Sequence, residues 1–259
     1  MRTLATKLIA AGCVLALSTP ILADWYPGDG HKMHFPQLPD PFGWDVNGVT
    51  PMILADDWQC SETGPVTDIH VWGSWLQDTP GVINEVRVSI HENIPEDPTN
   101  PDSYSQPGAL LWAQSFGASQ LAIIDPWGSG DQGWYDPATG VVNPDDHHNF
   151  HQINIDNITD PFIQDVGEIY WLSVSLTVED DPTGPQWGWK TSQDHFMDNA
   201  VWSQPGSGWQ ELYDPIITPP QQLDFAFVIS PEPGTMALLL LGGLALARRR
   251  HRRSASQVV

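Results

Sequence analysis

Hydrophobic and polar positions alternate with a period of two in several short runs of this chain. Over residues 82–91, Val82, Val86, Val88 and Ile90 share one face with Asn84, while Glu85, Arg87, Ser89 and His91 take the other. Over 170–178, Tyr170, Leu172, Val174, Leu176 and Val178 point one way, and Trp171, Ser173, Ser175 and Thr177 the other. Leu223, Phe225, Phe227 and Ile229 mark a further run, Ile69, Val71 and Trp75 another, and Ile153 with Ile155 a shorter one. Residues 110–116 add one more candidate. Successive side chains of a strand face opposite ways, so each run predicts a strand with one buried face.

Between these runs lie stretches dense in Pro, Gly, Asp and Asn, chiefly residues 93–108 and 125–146, which read as long loops. No long segment between the chain's two ends carries a helical period, and 24 prolines with 22 glycines would interrupt one often. The expected fold is all-β: a single β-sandwich, jelly-roll-like, over residues 24–229, with an up-and-down barrel as the open alternative. No internal repeat is visible, which argues against propellers and solenoids. Residues 24–48 hold four prolines and little periodicity, and are expected to be an arm packed on the sandwich through Trp25, Phe35 and Trp44.

The two ends follow different patterns. Residues 1–23 pair basic Arg2 and Lys7 with an apolar run from Leu8 to Leu17, then offer a cleavage site between Ala23 and Asp24. That is the layout of a secretory signal peptide, the substrate of signal peptidase. Residues 230–259 form a third region. Pro231-Glu232-Pro233 precedes an apolar run over 234–247, and Arg248, Arg249, Arg250, Arg252 and Arg253 follow. As a helix this run reaches about 21 Å, short against a hydrocarbon core of about 30 Å. The arginines hold its far end on the cytoplasmic side. It is either a plain tail anchor or a transient one.

With both ends removed, Lys32, Arg87 and Lys190 remain against every acidic residue but Glu232, so the formal charge moves from −22 to −28. Nucleic acid is excluded as a partner, because phosphate binding needs basic patches. Only Cys60 survives processing, so no internal disulfide forms and stability rests on the core.

All thirteen tryptophans lie between the two end segments. Flat aromatic faces stack on sugars while carboxylates and amides bind hydroxyls, so Trp127 and Trp134 in a predicted loop, and Trp187 with Trp189, are candidates for a glycan platform. Asp145 and Asp146, with Asp131 and Asp136 nearby, are candidate oxygen ligands for calcium. His147 and His151 would share a face for zinc only on a helix, which Pro144 opposes. Asp56-Asp57 and Asp180-Asp181 are carboxylate pairs, but neighbours on a strand point apart, so adjacency does not make a glycosidase dyad. Cys60 with His70 is a formal nucleophile–base pair, yet a lone cysteine near a strand edge reads as a small buried hydrophobe. No nucleophile elbow, P-loop or dinucleotide fingerprint occurs. The expectation is therefore a non-catalytic domain, with a calcium-assisted carbohydrate-binding module and a glycoside-active enzyme as alternatives.

The tail, taken as Pro231-Glu232-Pro233, the Met236–Ala247 span and the arginine-rich end in that order, resembles the PEP-CTERM sorting signal of Gram-negative bacteria. The resemblance implies recognition and cleavage near the tripeptide by the membrane enzyme exosortase. It also implies transient anchoring in the inner membrane, delivery to the cell surface or extracellular matrix, and an association with exopolysaccharide. The stretches LADDWQCSETGPVTDIHVWGSW, GWYDPATG, FGWDV and GWKTSQDHFMDNAVW resemble an uncharacterised domain of unknown function found in exported PEP-CTERM proteins. That second resemblance implies an exported β-rich domain and no mechanism.

Overall fold

The computed structural model describes residues 24–179 and 184–230. The leader over 1–23, Asp180-Asp181 and the tail from Pro231 to Arg253 lie outside the described residues. Among the described residues fifteen strands follow one another. They are β1 Trp44–Asn47, β2 Ile53–Gln59, β3 Gly64–Pro65, β4 Asp68–Trp75, β5 Ile83–Ile94, β6 Gln106–Gly117, β7 Leu121–Asp136 and β8 Val141–Ile155. Then come β9 Ile163–Gln164, β10 Ile169–Val178, β11 Trp187–Ser192, β12 Val201–Ser203, β13 Gln210–Glu211, β14 Asp224–Phe225 and β15 Phe227–Ser230. The only helical pieces among the described residues are two single 3-10 turns. No described helix is long and apolar enough to cross a membrane. The chain is all-β.

Two sheets hold most of the strands. The first runs β14-β11-β1-β7-β8-β4-β15, and β11 also pairs β4. That extra pairing closes β1, β7, β8, β4 and β11 into a five-stranded circuit. Within it β1 runs parallel to β7, and the other pairs are antiparallel. The second sheet runs β13-β12-β2-β10-β5-β6, and β3 with β9 makes a separate ribbon. One apolar cluster joins Leu54, Trp58, Val88 and Leu172 of the second sheet to Ile69, Ile153, Trp189 and Phe227 of the first. Burial of such side chains stabilises by roughly 1.5–3 kcal/mol each.

Alternation places its residues well in β10, where Leu172, Val174 and Leu176 face the core. The polar-side neighbour Trp171 is buried as well, in a second cluster with Ala55, Val201, Tyr104 and Trp209. In β5, Val86, Val88 and Ile90 are buried as expected, but Val82 is 54% exposed and Ile83 takes its place. A bulge explains this: Thr177 pairs Glu85 and Val178 pairs Ile83, which reverses the parity at the strand's start.

The largest correction concerns residues 125–146, expected as a loop. They form the outer halves of the β7–β8 hairpin. The turn-forming residues there serve close packing instead. A Cβ on Gly128 would lie 2.3 Å from the Phe150 ring, and one on Gly130 1.9 Å from the Pro41 carbonyl. The expected arm is also partly strand: Trp25 and Trp44 are buried as anchors, yet Trp44 opens β1 inside the first sheet, and Phe35 stays exposed.

Candidate functional site

Three polar constellations stand out from the apolar framework. The first crosses the inside of the five-stranded circuit. Asp45 on β1 lies directly opposite Lys190 on β11. Lys190 Nζ donates to Asp45 Oδ2 at 2.8 Å, and His147 Nε2 on β8 meets the same oxygen at 2.9 Å. Strands β1 and β8 are not neighbours, so this contact spans the interior. Ser74 on β4 likewise reaches Gln132 on β7, 3.2 Å away. Asp45, His147 and Lys190 have no solvent exposure, and Asp45 Oδ1 has no hydrogen-bond partner. Burial opposes the Asp45 charge, but Lys190 and His147 outweigh it and hold the carboxyl below its ordinary value. Burial lowers Lys190, with Asp45 offsetting part of the shift. Burial also works against charge on His147, yet Asp45 and Asp146 raise it on balance.

The second constellation is acidic. Asp56 and Asp57 are neighbours on β2 and point to opposite faces. Asp56 Oδ2 accepts from Gln37 Nε2 at 2.9 Å and from the Phe225 amide at 2.6 Å. Asp57 is fully buried, and neither carboxylate oxygen has a partner. Burial, then the charges of Asp198 and Asp224, push its pKa well up. The β12–β2 ladder runs from Val201–Ala55 to Ser203–Ile53, and Asn199 and Asp57 each lie two residues beyond its end. The buried Asn199 Oδ1 is also without a partner, while its Nδ2 donates to Glu211. Asp224 accepts from the Phe196 amide and pairs with His195 at 3.3 Å.

The third is a cleft of about 280 Å³ lined by Trp75, Asp78, Asp125, Pro126, Asn149 and His151, among others. That is close to the lower end of small-molecule sites, about 300 Å³. Asp78 is committed to the amides of His148 and Asn149. Asp125 and Asn149 are exposed at its rim. His151 is buried on its inner side, and its Nε2 accepts from Trp187 Nε1 at 2.9 Å. Burial takes its pKa down to about 4, so it is neutral there with the proton on Nδ1.

The residues expected from sequence fall elsewhere. Trp187 and Trp189 are fully buried and Trp134 nearly so, which removes them from any exposed platform. Trp189 stacks on Phe225 with ring centroids 4.5 Å apart. Trp127 is half-buried, wedged among Tyr26, Trp72 and Phe150. The four candidate calcium ligands are not brought together. Asp131 pairs with exposed His148, Asp136 caps the hairpin turn through the Ala138 amide, Asp145 is exposed, and Asp146 accepts from the Gln77 amide. Among the described residues no three His, Cys, Asp or Glu gather so as to hold a metal ion. Cys60 is buried, burial pushes its thiol up to about 12, and His70 is bonded instead to Asn154 and Ser230. Asp45, Lys190 and Asn199 escaped the sequence reading. One sign was available: Lys190, a rare cation here, sits between Trp189 and Thr191 in a strand.

These features sit on a recognisable chain. A family model described as a domain of unknown function, DUF7901, matches residues 33–230, and the chain belongs to that family. Residues 231–253 match the PEP-CTERM protein-sorting motif, which marks an exported, cell-surface-directed protein processed by an exosortase-type enzyme. Comparison with curated proteins and with solved structures gives no match.

Proposed function

We propose that the exported domain is a non-catalytic structural or binding component associated with exopolysaccharide, with its two sheets packed as a sandwich. In this reading signal peptidase removes residues 1–23, and residues 234–247 hold the chain in the inner membrane until exosortase acts. The cleft beside Trp75 carries the binding role. Pro80 and Pro126 give it an apolar surface backed by the largely buried Trp75, and Asp125 and Asn149 offer exposed oxygen and amide groups, which together suit the apolar and hydroxyl faces of a sugar. The net charge of −28 after processing would repel an acidic polymer, so the glycan is a neutral one. The test is co-sedimentation of the processed protein with neutral and acidic polysaccharides, read together with tryptophan fluorescence. Binding to a neutral polymer that Trp75→Ala weakens at least about tenfold supports the proposal, a factor worth about 1.4 kcal/mol. Sedimentation with neither polymer and unchanged fluorescence would remove it.

A second reading, calcium-assisted binding, draws on Asp57. Its two oxygens and Oδ1 of Asn199, just beyond the same ladder's end, are buried acceptors without donors, which a divalent cation would satisfy with further oxygens from ligand or water. A proton held by Asp57 and donated to Asn199 Oδ1 would satisfy the same pair. Melting with calcium and then with a chelator separates the two. A calcium-dependent rise that Asp57→Asn abolishes favours the cation, and no change favours the proton.

A further inference from the structure

The Asp45–Lys190 pair has the arrangement of reactants as well as that of an ion pair. The two residues are register partners on adjacent strands, so the backbone ladder fixes their approach. Lys190 Nζ is 2.8 Å from Asp45 Oδ2, at hydrogen-bond distance from the oxygen that is itself one bond from the carboxyl carbon. A third group, His147 Nε2, rests on the same oxygen at 2.9 Å. The other oxygen, Oδ1, is buried with nothing bonded to it. The surroundings are aromatic: the Phe150 ring centroid is 5.5 Å from Nζ, and the Trp134 ring packs edge-on against His147.

We propose that Asp45 and Lys190 condense into an intramolecular isopeptide bond, with His147 as the proton carrier. The pair rests as ions, since Lys190 and His147 hold the Asp45 carboxyl below its ordinary value, and proton exchange across the 2.8 Å contact opens a minor form with a neutral amine facing a neutral carboxylic acid. Nζ attacks Cγ. The Cγ–Oδ2 bond breaks, and Oδ2 leaves as water. Both protons come from the former ammonium group. His147 gives one to Oδ2 and takes one back from nitrogen, so it ends unchanged. No oxidant, cofactor or second substrate enters. Oδ1 becomes the amide carbonyl, a far cheaper group to leave without a partner than half a carboxylate. Register and packing supply the proximity that such a reaction needs.

The chemistry also fits the chain's circumstances. An exported protein commonly relies on disulfides, but the described residues contain one cysteine, free and buried. An Asp45–Lys190 bond would tie together positions 145 residues apart in sequence and lock β1 to β11 inside the closed circuit.

The full chain, recovered folded from its producer, is digested and mapped by mass spectrometry. The expected result is a branched species joining the Asp45 peptide to the Lys190 peptide, at their summed mass less one water. Asp45→Asn is expected to give the same branched product by losing ammonia instead. Lys190→Arg is expected to give separate peptides, and His147→Gln largely so. Wild-type Asp45 and Lys190 peptides recovered only as separate, full-mass species from folded protein would overturn the proposal. The branched wild-type species is itself decisive, whatever the variants do to folding.

Discussion

Trp187 donates its indole N–H to Nε2 of His151 at 2.9 Å, from β11 to β8, with both side chains buried. The bond requires a bare Nε2 and so a neutral ring. Among the described residues, burial takes His34, His70 and His151 each down to about 4 and lowers His91 as well.

Acid should therefore loosen the fold well before the carboxylates titrate in bulk. The unfolded chain takes up protons near 6.5, whereas the folded histidines resist until about 4. Their contribution is complete above pH 6.5 and is lost as pH falls through that window. For deeply buried His70 and His151 the shift corresponds to about 3 kcal/mol each. Urea denaturation at pH 7 and pH 4.5 should show the drop, and His151→Gln should flatten its share. An unchanged midpoint would contradict neutral buried histidines.

Asp57 has the opposite sign. Its folded pKa is raised, chiefly by burial, so its charge is a burden that appears as pH rises above the unfolded value of about 3.8. Asp57→Asn should raise the melting temperature at pH 7 in chelator and leave it nearly unchanged at pH 4. Equal effects at both pH values would assign the change to packing instead.

Two glycines should fail in different ways. A Cβ on Gly73 would meet the Trp187 ring at 2.3 Å and the Gly188 carbonyl at 2.4 Å, neither of which can yield. Gly73→Ala should cost about 3 kcal/mol or more and reduce soluble yield. Gly140 has open space around it but a φ of +72°. Gly140→Ala should cost about 1–2 kcal/mol through the backbone alone. Chemical denaturation of both variants tests the contrast.

Cys60 should be silent in the folded protein. It is 2% exposed, and its thiol is pushed up to about 12, so no thiolate is present at neutral pH. A maleimide should label it only after denaturant is added. Rapid labelling under native conditions would show that β2 opens at its end.

Much of the framework was legible in the sequence because one buried face leaves a period-two trace, as in Leu172, Val174 and Leu176. The trace fades where both faces are covered. Every residue of β4 is buried, and Trp171 is buried on what read as the outer face of β10. Residues 125–146 read as loop because local composition favours turns. There Gly128 and Gly130 make room for Phe150 and Pro41, a need set by partners distant in the chain. Tryptophan excess was visible, but exposure was not: Trp134, Trp187 and Trp189 went inward. The interior polar groups were illegible for the same reason. Asp45 meets Lys190 through the pairing of two strands far apart in the chain, and His147 reaches them across the closed circuit, neither of which a local pattern encodes.

The last strand, β15, ends at Ser230, and the sorting motif begins at the next residue. Ser230 is itself held by His70, 2.8 Å from Nε2. Any force applied through the motif therefore reaches the domain with no compliant spacer between. It arrives along β15, whose bonds to β4 run from Phe227–Val71 to Ser230–Asp68. Those bonds lie crosswise to a pull along the strand and are loaded together rather than one by one. A domain fastened by this end would take tension along β15 in shear rather than by peeling.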